Sequence, residues 1–131
     1  MTKPAVGARE PAQSDYNLAH AIYRHGVARP DTLTVAFEGR SLSYGQLAAQ
    51  AVRVAHCLAG HRTWKGRQGK PPRVGILALR SLDACVAVAG ASWAGATYVP
   101  LGPKLPEARL LKMLSVCDLS AVIATKSARG N

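Results

Sequence analysis

Ser92-Trp-Ala-Gly-Ala-Thr-Tyr-Val-Pro-Leu-Gly-Pro-Lys-Leu-Pro-Glu-Ala-Arg-Leu110 decides how the rest of this chain reads. A helix ends at Ser92-Trp93 and Gly95 stops it, because glycine accepts the left-handed backbone a helix needs just past its end. Thr97 to Leu101 is then a short buried strand, followed by a proline-rich turn. Pro106 begins the next helix at a position where its missing N–H costs nothing.

Upstream, Ser81 is placed to cap the helix that ends at Trp93, and Asp83 lies in its first turn, where the helix dipole favours a negative charge. Leu82, Cys85, Val86, Ala89 and Trp93 form its inner stripe. Ala87, Val88, Gly90, Ala91 and Ala94 leave the other faces small or apolar, so burial is expected nearly all round. Val74 to Leu79 is a continuous apolar run, as in a parallel strand covered on both faces. Downstream, Leu110, Met113, Leu114 and Cys117 supply a core face, and Ala121 to Thr125 reads as a third strand. The alternation β-α-β-α-β predicts an α/β fold with a parallel sheet and right-handed crossovers.

The segment before this unit is equally specified. Ser43-Tyr-Gly-Gln46 has the form of a capping box, with Leu42 and Leu47 placed as a hydrophobic staple. Leu47, Ala51, Val54, Ala55 and Leu58 then fall on one helical stripe, and Gly60 ends it. Leu33–Phe37 and Arg40–Ser43 flank Glu38-Gly39 as an N-terminal β-hairpin. Asn17 is the expected N-cap of a first helix carrying Leu18, Ala21, Ile22 and Val27, ended by Gly26 and Pro30. Residues 1–16 are expected to be a disordered tail, leaving 17–131 as one domain.

Composition excludes several classes. With 48% apolar and 18% charged residues, the 131-residue chain has the balance of a globular protein. Its longest apolar run, Ala84 to Ala91, falls far short of the ~18 residues of a membrane span. Residues 1–16 lack the hydrophobic stretch of a secretory signal, so a cytoplasmic location without membrane contact is expected. Cys57, Cys85 and Cys117 form no C-x-x-C pair, and each falls in an apolar helical pattern. They are expected to be buried, reduced and without metal.

The net charge is +10, and no carboxylate occurs between Glu38 and Asp83. The densest basic stretch is the loop His61 to Arg73. It reads first as a solvated loop of an Arg-rich composition, with contact to phosphates or an acidic partner as the alternative; Trp64 is its single aromatic, short of a platform for stacking bases, so nucleic acid is not an expected partner. Gly66-Arg-Gln-Gly69-Lys70 within it fails as a phosphate loop. The pattern requires glycine at Trp64 and a hydroxyl at Pro71, and proline there opposes a helix start.

No catalytic constellation is visible. His20, His25, His56 and His61 lack metal spacing, and His56 beside Cys57 points away from it on a helix. The seven carboxylates are scattered. Ser81 and Asp83 are better read as cap and dipole partner than as nucleophile and orienter.

Leu42-Ser-Tyr-Gly-Gln-Leu47 resembles the first core motif of adenylation domains in the AMP-dependent synthetase/ligase family. Arg80-Ser-Leu-Asp83 is similar to that family's Arg-Ser-x-Asp helix start, and Trp93-Ala-Gly-Ala-Thr-Tyr-Val-Pro-Leu101 to its second core motif. The resemblance runs from about Asn17 to Thr125. Gly102 departs from it, standing where amino-acid-activating members usually carry aspartate; Trp93 and the basic loop depart as well. Tyr98-Val-Pro100 tilts toward the amino-acid-activating branch of nonribosomal peptide synthesis, with aryl-acid and fatty-acid ligases left open.

The resemblance implies an enzyme that joins a carboxylate to ATP, with Mg²⁺, and passes the acyl group from its adenylate to a thiol. In that family the phosphate loop, substrate pocket, Mg²⁺ ligand and catalytic lysine come later than the motifs seen here. The expectation is therefore an N-terminal fragment, inactive alone, whether from a truncated gene, a split gene or a deliberately shortened chain. No catalytic, cofactor-binding or metal residue is assigned to it. Its partners would be the remainder of the enzyme or a carrier protein. The alternative is a self-standing binding module that uses the basic 61–73 loop.

Overall fold

The computed structural model describes residues 10–13, 16–64 and 69–126. Four helices and five strands follow one another: α1 (Ala19–Ala28), β1 (Leu33–Phe37), β2 (Arg40–Ser43), α2 (Tyr44–Ala59), β3 (Arg73–Leu77), α3 (Leu82–Trp93), β4 (Thr97–Leu101), α4 (Glu107–Cys117) and β5 (Ala121–Ala124). β1 and β2 pair antiparallel, while β4-β3-β5 form a separate parallel sheet with β3 in the middle. The α/β expectation is met.

The local signals at the α2 boundary all materialise. Gln46 N–H donates to the Ser43 hydroxyl, and Ser43 N–H donates to the Gln46 side-chain carbonyl, at 3.2 and 2.9 Å. Two otherwise orphaned backbone donors are thus satisfied reciprocally. Leu42 and Leu47 are both buried in one cluster with Ala48, Ala51, Ala55, Leu82, Val86, Ala89 and Trp93. In the hairpin turn both Glu38 and Gly39 take positive φ, which matches the twist of the flanking strands.

α3 is the central element: it touches α1, α2, the hairpin, β3 and β4. Eight of its residues are buried, including Gly90 and Trp93. A Cβ on Gly90 would come within 2.5 Å of Val54 Cβ, so only glycine lets α2 and α3 approach this closely. Gly95 follows the helix at φ +83°, as the opening motif requires. A second cluster (Leu58, Val74 and Ala91, with Trp64, Tyr98 and Ile123 against it) joins these helices to the sheet.

Several expectations are corrected by tertiary context. α1 starts at Ala19, with Leu18 in the N-cap position. Asn17 still contributes, its side-chain carbonyl accepting from Ala19 N–H at 2.9 Å. Gly26 does not end α1; it is buried within it, and the helix runs to Ala28. β3 stops at Leu77 rather than Leu79. β4 is an outer strand with only Leu101 buried, so it is not the buried strand its composition suggested.

The core face expected on α4 is only partly covered: Leu110, Met113 and Cys117 are half-buried, Leu114 is 37% exposed, and no α4 residue is fully buried. Cys57 is exposed and Cys85 and Cys117 are half-buried, so the cysteines are not buried as expected. On α2 the buried stripe passes through Ala55 and Leu58, which turns Cys57 outward. Of the expected tail, residues 1–9, 14 and 15 lie outside the described residues, while Pro11 is buried against the body.

Candidate functional site

Parallel α/β sheets take ligands beyond the carboxyl ends of their strands. Just past the end of β3, a cleft of about 380 Å³ opens between the hairpin turn and the start of α3, lined by Phe37, Glu38, Arg40, Arg80, Ser81 and Asp83 among others. Two arginines and two carboxylates are among its lining. Ser81 cannot be spared for chemistry: its hydroxyl accepts from Ala84 N–H and donates to the Leu79 carbonyl, both at 3.1 Å. The cap reading of Ser81 stands, and Asp83 lies in the first turn, where the dipole favours it.

Two larger hollows flank α3. One, about 410 Å³, is a greasy groove lined by Leu18, Ile22, Val35, Leu47 and Val88, with Cys85 at its wall. The other, about 500 Å³, lies between Tyr16-Asn17 and the start of β4, with Ser92, Thr97 and Tyr98 on its rim. Both have the volume of a small-molecule pocket; the groove is almost wholly apolar, while in the other the Asn17 side chain is already bonded to Ala12 and Ala19.

The histidines remain dispersed. His25 packs its ring on Tyr44 at 4.8 Å, and His61 Nδ1 meets the Thr63 hydroxyl at 2.7 Å. Among the described residues, no three His, Cys, Asp or Glu side chains are grouped so as to hold a metal ion. In the basic loop, residues 65–68 lie outside the described residues. Trp64 packs half-buried on the Leu58–Val74 cluster instead of presenting a free face. No described helix is long and apolar enough to cross a membrane.

One polar cluster had no signal in the sequence. The Tyr23 ring stands edge-on to Trp93 at 5.9 Å, and its hydroxyl donates to Glu10 Oε1 at 3.4 Å. Burial, then the neighbouring Glu10 charge and its hydrogen bond, push the Tyr23 phenol above its usual value. These three residues are far apart in sequence, and Glu10 sits in a stretch with no periodicity, so only folding unites them.

Comparison with known proteins relates these elements to a family. The AMP-binding enzyme family matches residues 22–131. This chain belongs to that family. Surfactin synthase subunit 3 of Bacillus subtilis is 38% identical over 88 residues, which cover 67% of this chain and 6% of the synthase. Malonate–CoA ligase of Arabidopsis thaliana is 31% identical over 106 residues, covering 73% of this chain and 17% of the ligase.

Among solved structures, the N-terminal subdomain of Klebsiella oxytoca NpsA, in complex with 3-hydroxyanthranilyl-AMSN, superposes with a TM-score of 0.71 at 23% identity. It covers 82% of this chain and 26% of that one. At that identity the likeness speaks for the fold alone. The chain spans less than a fifth of the length of these curated relatives. The family's opening motifs are therefore present here as a capping box, a helix cap, a glycine stop and an outer strand.

Proposed function

We propose that this chain forms the first part of the N-terminal subdomain of an acyl-adenylate-forming ligase, with an amino acid as the carboxylate, and that it does not activate that substrate by itself. The observation that carries the reading is the family match over residues 22–131 on a stretch whose polar side chains are spent on structure. Ser43, Gln46 and Ser81 close helix ends, and Arg73 holds the last carbonyl of α4. Tyr98-Val99-Pro100 and the similarity to surfactin synthase favour amino acids; the similarity to malonate–CoA ligase supplies the competing class.

On this reading ATP, Mg²⁺ and the acceptor thiol of a carrier protein are handled by polypeptide beyond the part matched here. Residues 17–131 act together as one scaffold unit. ATP–pyrophosphate exchange tests both halves. This chain alone should give none across a panel of amino acids, malonate and aryl acids. A polypeptide carrying the whole family domain should exchange with an amino acid. Substrate-dependent exchange by the chain alone overturns the first half, and exchange with malonate or an aryl acid only overturns the second.

A further inference from the structure

The segment Glu10–Ala12 is tied to the body at several independent points. Ala12 N–H donates to the Trp93 carbonyl at 2.9 Å, closing one of the carbonyls that the end of α3 leaves without an intrahelical partner. The Ala12 carbonyl accepts from Asn17 Nδ2, and Asn17 Oδ1 accepts from Ala19 N–H, both at 2.9 Å, so one side chain links the segment to the start of α1. Pro11 is buried. A Cβ on Gly95 would come within 2.9 Å of the Ala12 methyl, so the glycine after α3 also makes room for this crossing.

Beneath the segment is a small chamber of about 120 Å³, walled by Glu10, Ala12, Ala55, Ala59, Trp93 and Ala94. The Trp93 indole N–H is fully buried and meets no protein acceptor, the only such buried side-chain atom among the described residues. A buried donor left unmatched is costly, so a native fold supplies an acceptor. The chamber is too small for an ordinary ligand but has room for water, which needs two or more polar partners to stay.

We propose that Glu10–Ala12 is a latch across the ends of α2 and α3, closing a chamber in which water joins the Trp93 indole N–H to the Glu10 carboxylate. The Tyr23 hydroxyl holds that carboxylate from its other side. Opening the latch uncovers Trp93 and frees the Trp93 carbonyl together, so the end of α3 and the strand that follows it loosen as one. The inference is independent of which carboxylate the family domain activates.

The test uses the full chain with Trp64→Phe, which leaves Trp93 as the sole indole. Acrylamide quenching of its fluorescence and hydrogen exchange of its indole N–H are compared in Ala12→Pro, Glu10→Ala and Glu10→Gln. Ala12→Pro, which deletes the donor to Trp93, should raise both severalfold while the far-ultraviolet circular dichroism stays that of the parent. Glu10→Ala should speed indole exchange more than Glu10→Gln, which keeps an acceptor. A water cross-peak to the indole N–H in the parent, weakened in Glu10→Ala, is the signature of the bridge. Parent-like quenching and exchange in both Ala12→Pro and Glu10→Ala overturn the proposal. If Ala12→Pro unfolds the chain, the exposed Glu10 substitutions decide alone.

Discussion

Replacing Gly90 by alanine tests the packing at the centre of this fold. Away from other elements, alanine in a helix interior is favoured over glycine by about 1 kcal/mol. Here the added carbon would lie 2.5 Å from both Cβ and Cγ1 of Val54 and 3.3 Å from the Ala51 carbonyl oxygen. Val54 Cβ is fixed to its helix and cannot swing aside, so α2 and α3 must separate. Overpacking of this kind costs about 1–3 kcal/mol, and the backbone-anchored contact puts Gly90→Ala in the upper half of that range, about 2–3 kcal/mol. Subtracting the propensity gain leaves a net loss of about 1–2 kcal/mol.

Urea unfolding followed by circular dichroism should therefore show a midpoint lowered by roughly 0.5–1 M, at unchanged slope. Val54→Ala removes Cγ1 but keeps Cβ, so the double variant should recover part of the loss, with a coupling of about 0.5 kcal/mol or more. A Gly90→Ala protein as stable as the parent, or more stable, refutes the close-packed α2–α3 interface.

Ser43→Ala breaks the capping box at the start of α2 and should lower stability by about 1 kcal/mol in the same urea assay. Glu10→Gln removes the charge beside Tyr23, and the slowest-ionising phenol in an absorbance titration should move down toward the ordinary tyrosine value. Because the folded-state value of Tyr23 is raised, the unfolded chain releases its proton first. Stability is thus unaffected below about pH 10 and falls as pH rises from there through the folded value. That decline should be shallower in Glu10→Gln. Cys57, exposed on α2, should react with a thiol reagent faster than the half-buried Cys85 and Cys117, and Cys57→Ser should abolish the fast phase.

What could be read before folding was whatever depends on neighbours in sequence. Ser43 and Gln46 lie three residues apart, as do Ser81 and Ala84, so both caps were legible. Gly39 and Gly95 marked backbone that only a few residues adopt easily, and both turns fall where expected. The family motifs were readable for the same reason, each being a local device of cap, stop or strand. Covering was less legible. Thr97–Leu101 has the composition of a buried strand but lies at the edge of β4-β3-β5, and the apolar positions of α4 are at most half-buried. Apolarity states that a residue should be covered, without stating by what.

The candidate site shows the same division. Ser81 was recognisable as a cap from its spacing alone. Glu10, Tyr23 and Trp93 meet only after α1 is laid against α3 and the chain before it is drawn across their ends. By itself the sequence determined the elements, their order and the family, because helix caps, turns and periodicity are set by residues a few positions apart. The tertiary structure alone decided which faces are closed, that Gly90 must be glycine, and that Glu10 reaches the hydroxyl of a tyrosine packed against a buried indole. Those outcomes depend on contacts between segments that no local pattern encodes.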